Sequence, residues 1–362
     1  MGFLKANWPR VHQERSLGLW QPFLAFLSIL YGAGVRIRLS GYRGRHLKKE
    51  SLPGFVVSIG NLTVGGTGKT PAVVMLAKWA LNEGYRVAVL SRGYGGRCKE
   101  KVLEVFDGEV IKADPRDTGD EPYLLAQKLP GIPIIISKKR FLAGLFAHEK
   151  FGTNFFVLDD GFQHLGLRRD LDLVLIDASS PFGNGHLLPW GPLREPIDEL
   201  ARADATILTR FSGQTSGEKT LKFINLRFPK IPAFCADHLP EKIVFPFLSE
   251  VCEPDFLKGK RVLAFAGIAR PDAFKETLLK LGAEIAHFRS FSDHYQFNRS
   301  EIEALIEMKD SLGARYILTS EKDWVRMASI TPSCPQIAYL SIKFALISDQ
   351  GGFYSMVRSA LN

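Results

Sequence analysis

The sequence predicts an α/β protein with a doubly wound, mostly parallel sheet and a second, smaller α/β domain. Short apolar, β-branched runs alternate along the chain with segments of helical periodicity, and a glycine-rich loop follows the first of these runs. The runs predicted as strands are 55–60, 86–91, 133–137, 154–160, 172–177 and 205–210, and then 261–267, 283–290 and 315–320.

Length and composition set the expected number of domains. The chain has 362 residues, of which 46% are hydrophobic and 23% charged, and this is enough for two domains. We expect an N-terminal segment over residues 1–45, a core domain over 46–215, a linker over 216–250 and the smaller domain over 251–362. The four cysteines are far apart and contain no C-x-x-C pair, so neither a disulfide framework nor a zinc site is expected.

The N-terminal segment combines positive charge with an apolar stretch. Residues 1–50 contain nine Lys or Arg and two Glu, which gives +7 of the chain's net charge of +9. Between the basic flanks, residues 16–35 carry no charge, and Pro22 suits the first position of a helix. Gly32 and Gly34 weaken the other end, which predicts a helix of about a dozen residues, roughly 18 Å at about 1.5 Å per residue.

Three interpretations of this apolar stretch are open. Cationic flanks and a tryptophan suit a membrane surface with anionic lipids. Because a bilayer core is about 30 Å thick, a helix of this predicted length favours an interfacial anchor over a transmembrane span. The third interpretation is an ordinary core helix. A secretory signal is not indicated, since no clear small-residue cleavage site precedes the basic stretch.

The glycine-rich loop VGGTGKTP, residues 64–71, lies between a predicted strand and a predicted helix, the context of a phosphate-binding loop. Lys69 can reach the β- and γ-phosphates of a nucleotide, and the Thr70 hydroxyl can hold Mg²⁺. The usual first glycine, five positions before Gly68, is replaced by Thr63 here. This replacement alters how the chain enters the loop, but it keeps the backbone N–H groups that bind phosphate. These features predict a P-loop NTPase-like core that binds ATP and Mg²⁺. The predicted nucleotide-binding residues are Thr63, Val64, Gly65, Gly66, Thr67, Gly68, Lys69 and Thr70.

Two acidic motifs follow. In LDDGFQH, Asp159 and Asp160 come at the end of a predicted strand, where open α/β sheets bind their ligands. Beside a phosphate-binding loop, this pair predicts a Mg²⁺ site of the Walker-B kind. In DTGDEP, Asp120 precedes a predicted helix, and the residues alone leave two roles open: an N-cap or a catalytic base.

With these motifs in this order, the chain resembles the tetraacyldisaccharide 4′-kinases, the lipid A 4′-kinases of Gram-negative bacteria. Further motifs extend the resemblance over nearly the full length: SRGYGGR (91–97), WGPLREP (190–196), FAGIARPDAF (265–274), SDHYQF (292–297) and TSEKDW (319–324). One position departs from the expected pattern, because Tyr295 follows His294 where a second histidine is expected.

The resemblance implies ATP- and Mg²⁺-dependent phosphorylation of the 4′-hydroxyl of a tetraacylated glucosamine disaccharide 1-phosphate, giving lipid IVA. It implies work at the cytoplasmic face of the inner membrane, with a membrane-associated N-terminal helix. Asp120 would be the base for the sugar hydroxyl, with His294 of the second domain paired to it. The remaining implied assignments are Lys69 and Thr70 to the nucleotide, Asp159 and Asp160 to the metal and reaction centre, Arg194, Gln163 and His164 to the phosphates and substrate, and Tyr94 and Arg140 to the lipid.

Two other functions compete with this interpretation. A partition- or metallochaperone-type ATPase also has a G-G-x-G-K-[ST] loop, but such proteins carry a signature lysine before the glycine pair, and Val64 stands there. A nucleic-acid partner is not expected, because the positive charge is concentrated beside an apolar run and lacks interleaved aromatic side chains.

Overall fold

The computed structural model describes residues 21–93, 100–211 and 215–361. Its helices are α1 (Gln21–Arg43), α2 (Lys69–Asn82), α3 (Pro115–Thr118), α4 (Asp120–Lys128), α5 (Arg140–Phe151), α6 (Thr215–Arg227), α7 (Pro271–Lys280), α8 (Arg299–Ser311), α9 (Glu321–Met327) and α10 (Gln350–Leu361). Its strands are β1 (Phe55–Asn61), β2 (Val87–Ser91), β3 (Leu103–Phe106), β4 (Ile134–Ile136), β5 (Phe155–Asp159), β6 (Leu171–Asp177), β7 (Ala205–Thr209), β8 (Ala233–Phe245), β9 (Glu250–Cys252), β10 (Arg261–Ala266), β11 (Glu284–Ser290), β12 (Tyr316–Ser320) and β13 (Ile337–Leu346).

One continuous sheet runs through the described chain in the order β11-β10-β12-β13-β8-β7-β6-β1-β5-β2-β4-β3, with β9 beside β8. Strands β1 to β7 form its first half, in which only β3 pairs antiparallel among the described strands. Strands β10 to β13 form its second half and pair in parallel. The predicted doubly wound, mostly parallel α/β fold is confirmed.

Strand β8 joins the two halves. Its residues 233–235 pair in parallel with β7, and the rest of the strand pairs antiparallel with β13. The segment 216–250, predicted as a linker, therefore contains a helix and a 13-residue strand. Pro240 of this strand lies beside a register shift in the ladder, where a strand tolerates proline. The division into two domains stays a prediction.

Helices cover both faces of the first half. Helix α2 packs on one face through Leu76, and α10 returns from the C-terminus to the same core through Phe353 and Val357. Helix α5 covers the opposite face through Ala143 and Ala147. Both faces of these strands are thus buried, which explains why their sequences are almost uniformly apolar.

Helix α1 is 23 residues long, and the predicted dozen was wrong. Gly32 and Gly34 lie inside it, although each costs about 1 kcal/mol of helix propensity. One face of the helix packs on the protein, where the Ser28 hydroxyl donates to the Leu187 carbonyl oxygen at 2.8 Å. A Cβ at position 32 would lie 2.8 Å from Leu187 Cδ1, so Gly32 permits this close packing.

The other face of α1 is apolar and open to solvent. Its exposed side chains are Phe23, Phe26, Ile29, Leu30 and Ile37, with 54% to 74% of each accessible. At about 1.5 Å per residue the helix is roughly 35 Å long, so its length and composition would suffice to cross a membrane. The structure thus shows a helix with one buried and one apolar exposed face.

Candidate active site

A cleft of about 2050 Å³ lies at the carboxyl ends of the central strands and is lined by residues of both halves of the sheet. Ser91 ends β2 and Asp159 ends β5, and both contribute to its wall, as do Ala269 and His294 of the second half. Open α/β sheets bind ligands at this edge. The volume exceeds that of a typical small-molecule site.

The phosphate-binding loop lies between β1 and α2. Gly68 occupies the N-cap position of α2 with φ 86°, a left-handed conformation that favours glycine, and no described side chain caps the helix. Two residues at the end of β7 hold the loop by hydrogen bonds. The Thr209 hydroxyl donates to the Thr67 carbonyl oxygen, and Arg210 Nη2 donates to the Gly66 carbonyl oxygen, both at 3.0 Å. The helix start therefore faces the cleft with its backbone N–H groups.

The entry to the loop is anchored by the WGPLREP segment. Thr63, in place of the usual glycine, forms an antiparallel bridge with Leu193, and the Val64 N–H donates to the Pro192 carbonyl oxygen at 2.8 Å. The departure from the usual loop pattern is therefore accommodated by pairing with a neighbouring segment.

Lys69 is directed by two oxygens. Its Nζ lies 3.2 Å from Asn61 Oδ1 and 3.5 Å from Asp160 Oδ1. Asn61 ends β1, is buried, and donates through Nδ2 to the Thr63 carbonyl oxygen at 2.7 Å, so it links the lysine to the loop.

Asp159 has one oxygen that the described part of the chain leaves unpaired. Its side chain is buried at the end of β5; Oδ2 accepts a hydrogen bond from the Ser91 hydroxyl at 3.0 Å, and Oδ1 has no partner. Burial, followed by the charges of Glu121 and Asp160, raises the pKa of this carboxyl. A buried, unsatisfied carboxylate oxygen beside a phosphate-binding loop fits a divalent cation.

Asp160 is instead paired with cations. Both of its oxygens lie 2.9 Å from Arg194 Nη1, and Lys69 lies on the same side. Burial acts to raise the pKa of Asp160, but Lys69 and Arg194 outweigh it and lower the pKa to about 2. Across the described ranges, no group of three or more His, Cys, Asp or Glu is arranged to hold a metal alone. A Mg²⁺ here would thus take further ligands from phosphate, water and the Thr70 hydroxyl.

Asp120 lies in the first turn of α4, and Gly119 is the N-cap, so Asp120 does not cap the helix. Its Oδ2 lies 3.2 Å from His294 Nδ1, which comes from the loop after β11. Lys322 Nζ lies 4.0 Å from the same oxygen. Burial acts to raise the pKa of Asp120, but the His294 hydrogen bond and the charges of Lys322 and Arg326 hold it well below its usual value. The predicted Asp120–His294 contact is present, and it joins the two halves of the sheet.

Gln163 and His164 of the LDDGFQH motif line the same cleft. Gln163 donates through Nε2 to the Asn61 carbonyl oxygen at 3.0 Å, and its Oε1 lies 3.4 Å from Arg194 Nη1. For His164, burial and then the nearby arginines lower the pKa to about 4, so the imidazole is neutral at neutral pH. Gln163 thus contacts the Arg194 side of the Arg194–Asp160 pair.

Arg140 starts α5 and is 3% exposed. It donates to the carbonyl oxygens of Ser137 and Asp159 at 3.3 and 3.4 Å. Burial lowers its pKa to about 10, which leaves it cationic behind Asp159. Its assignment to the lipid stays a prediction, and Tyr94 lies outside the described residues.

The family model for tetraacyldisaccharide-1-P 4′-kinase (LpxK) matches residues 20–362. The chain belongs to this family. The tetraacyldisaccharide 4′-kinase of Pelobacter propionicus is 39% identical over 96% of this chain and 94% of the relative. That of Syntrophus aciditrophicus is 38% identical over 95% of this chain and 97% of the relative.

A solved member of the 4′-kinase family gives the same result. LpxK from Aquifex aeolicus, solved in complex with ATP, is 32% identical, with a TM-score of 0.75, and the match covers 95% of this chain and 98% of that one. The family resemblance inferred from the motifs and the P-loop NTPase-like fold are therefore confirmed.

Sequence reasoning missed three residues that contact Lys69, Asp159 or Asp120 in this 4′-kinase site. Asn61 could have been found, because it is a polar residue at the end of an apolar strand directly before the loop. Ser91 opens the SRGYGGR motif, but nothing in the motif indicates its contact with Asp159. Arg326 contacts Asp120 from 206 positions away and has no local signal.

Proposed function

We propose that this chain transfers the γ-phosphoryl group of ATP to the 4′-hydroxyl of a tetraacylated glucosamine disaccharide 1-phosphate, with Mg²⁺, giving lipid IVA. The observation that carries this proposal is the cleft itself. It brings a phosphate-binding loop together with the Asp120–His294 pair, so a nucleotide and an alcohol acceptor can meet.

The nucleotide side supplies positive charge. Lys69 and Arg194 are both held at Asp160, and an incoming triphosphate offers them stronger partners. Phosphoryl transfer depends mostly on positioning and on neutralising the phosphate oxygens. Asp159 and Thr70 would hold Mg²⁺, which when bound neutralises phosphate charge.

The acceptor side supplies the base. The 4′-oxygen attacks the γ-phosphorus, the bond from that phosphorus to the β–γ bridging oxygen breaks, and the hydroxyl proton passes to Asp120. Because its pKa is well below the usual value, Asp120 is ionised at neutral pH and accepts a hydrogen bond from the hydroxyl, taking the proton late. His294 orients the carboxylate.

Helix α1 leads from the membrane to the cleft. Tyr31 donates to the Arg194 carbonyl oxygen at 2.9 Å, Arg38 donates to that of Gln163 at 2.6 Å, and both line the cleft. We assign its exposed apolar face to the cytoplasmic leaflet of the inner membrane, where an acylated substrate resides, and we keep Tyr94 and Arg140 as proposed contacts of the lipid.

The test is direct transfer. The purified protein is incubated with Mg·ATP and the 1-phosphorylated tetraacyl disaccharide, and mass spectrometry is expected to show a gain of one phosphate on the disaccharide. ATP hydrolysis with no phosphorylated disaccharide would contradict the proposal and favour the partition-type ATPase.

Lys69→Ala is the matched variant for this assay. Within the described residues, the hydrogen-bond and ion-pair partners of Lys69 are Asn61 and Asp160, so its loss leaves the core intact. We expect most of the transfer to disappear with little change in the melting temperature. Near-normal turnover of the folded variant would mean that the loop does not bind the transferred phosphate.

A further inference from the structure

Arg326 lies on α9, in the second half of the sheet, and is buried, with 4% of its side chain exposed. Its Nε and Nη2 donate to Asp120 Oδ2 at 2.7 and 2.5 Å. Its Nη1 donates to the Gly267 carbonyl oxygen at 2.8 Å and to Asp323 Oδ1 at 3.0 Å. All three guanidinium nitrogens are therefore used, and two of them hold one oxygen of Asp120.

The guanidinium is fixed from behind. Asp323 is fully buried, and its Oδ2 accepts hydrogen bonds from the Gly267 N–H at 3.0 Å and the Ser320 hydroxyl at 2.6 Å. If Arg326 turned away, a buried carboxylate would lose its cation, which is strongly unfavourable. The plane of the guanidinium is thus set by the second half of the sheet.

The two oxygens of Asp120 have different surroundings. Oδ2 contacts Arg326 twice and lies 3.2 Å from His294 Nδ1, whereas no hydrogen bond reaches Oδ1 from the described part of the chain. His294 Nδ1 also lies 3.4 Å from Arg326 Nη2, so the histidine and the arginine converge on the same oxygen.

We propose that Arg326 is a positioning residue for the transfer reaction: it holds Asp120 by Oδ2 and leaves Oδ1 free to take the proton of the acceptor hydroxyl. This inference rests on the proposed function, in which Asp120 is the base. The arginine acts through Asp120 and contacts neither substrate. Because Arg326 belongs to the second half of the sheet, the orientation of Asp120 as a base depends on where that half lies.

The competing explanation is an ion pair that only joins α4 to α9, and the pH dependence of kcat separates the two. In the described chain, Asp120 pairs with Lys322 and Arg326 of α9 and with His294 of the loop after β11. Asp293 in turn pairs with His294, and Glu121 pairs with Lys322. The base must be ionised to act. Removing the arginine's charge and donors raises the pKa of Asp120, so activity is lost at a higher pH as the solution is acidified.

The experiment measures kcat, KM for ATP and the acid limb of the pH profile for Arg326→Lys and Arg326→Gln. We expect kcat to fall about tenfold to a hundredfold in both variants, with KM for ATP within about twofold. The acid limb should move upward by about one pH unit in R326Q and by less in R326K, which keeps the charge. Parental kcat and an unmoved acid limb in both variants would overturn the inference.

The matched control repeats R326K in an Asp120→Asn background. If the arginine acts through Asp120, R326K changes the residual kcat by less than about twofold there. An equal loss in both backgrounds would overturn the positioning role. The failure of the proposed function has a separate signature: near-normal kcat in D120N itself. R326K keeps the buried cation beside Asp323. It therefore still tests the positioning role of Arg326 if R326Q does not fold.

Discussion

Two carboxylates of the site, Asp159 and Asp120, are each held by one oxygen, and in the described part of the chain the other oxygen has no hydrogen bond. Asp159 is held at Oδ2 by Ser91, and Asp120 is held at Oδ2 by Arg326 and His294. The free Oδ1 atoms are the ones that a cation and a substrate proton can use. Asp160, in contrast, has both oxygens in contact with Arg194. This pairing suits a residue that neutralises the phosphate-binding side chains Lys69 and Arg194 until the nucleotide binds.

At this residue scale, Gly68→Ala tests the phosphate cradle. The substitution strains a left-handed residue by about 1–2 kcal/mol, and the new Cβ would lie 2.2 Å from Nε2 of His238, a buried ring with no described hydrogen-bond partner. We expect affinity for ATP, measured by titration calorimetry, to fall more than about tenfold.

Two controls separate strain from collision in the Gly68→Ala variant. Gly65→Ala has φ 109° and nothing within 4 Å of the new Cβ, so it carries strain alone and should lose less affinity. The double variant Gly68→Ala/His238→Ala should recover part of the loss. Parental ATP affinity in Gly68→Ala would contradict the geometry of the loop.

At the scale of elements, α1 combines two tasks on two faces. Its inner face packs through Ser28 and Gly32 and contacts the cleft through Tyr31 and Arg38. Its outer face exposes a row of large apolar side chains. An element of this kind can place a membrane surface beside the active site without a separate anchor domain.

The double substitution Phe26→Ser/Ile29→Ser tests the outer face. Both side chains are more than half exposed, so their loss should leave the melting temperature nearly unchanged. Each large apolar side chain contributes about 1.5–3 kcal/mol when fully buried, so flotation with anionic vesicles should drop at least tenfold. High salt should release the parent protein only in part, because charge is screened over about 8–10 Å and apolar contact is not.

Leu226→Ser on α6 is the control for the vesicle assay. Leu226 is 74% exposed and apolar but lies on another helix, so its substitution should leave flotation unchanged. Equal flotation of the α1 double variant and the parent protein would show that α1 does not bind the membrane.

At the scale of the whole molecule, the sequence predicts local features and misses long-range ones. The parallel strands and the phosphate loop were predicted because their signals lie within a few residues of one another. The β8–β13 pairing joins segments about 100 positions apart, so no signal within a few residues indicates it. The length of α1 was underestimated because the contact of Gly32 with Leu187 has no signal near Gly32.

In the active site too, features with a local sequence signal were predicted and long-range contacts were not. Asp159, Asp160 and Lys69 were predicted because each lies at a strand end or a loop. The sequence could not show that Asp120 is held from α9, since this contact depends on how the two halves of the sheet meet. We therefore propose a catalytic unit that is assembled from both halves of the sheet.

A double-mutant cycle on kcat tests this claim most directly, using Asp120→Ala, His294→Ala and the double variant. Asp120→Ala should lower kcat by about 10²–10⁴-fold, the scale of a positioned base, and His294→Ala should lower it less. ATP affinity should barely change in either variant. If the two residues act as one unit, the double variant is little worse than Asp120→Ala alone. Fully multiplicative losses would contradict a catalytic unit shared between the two halves.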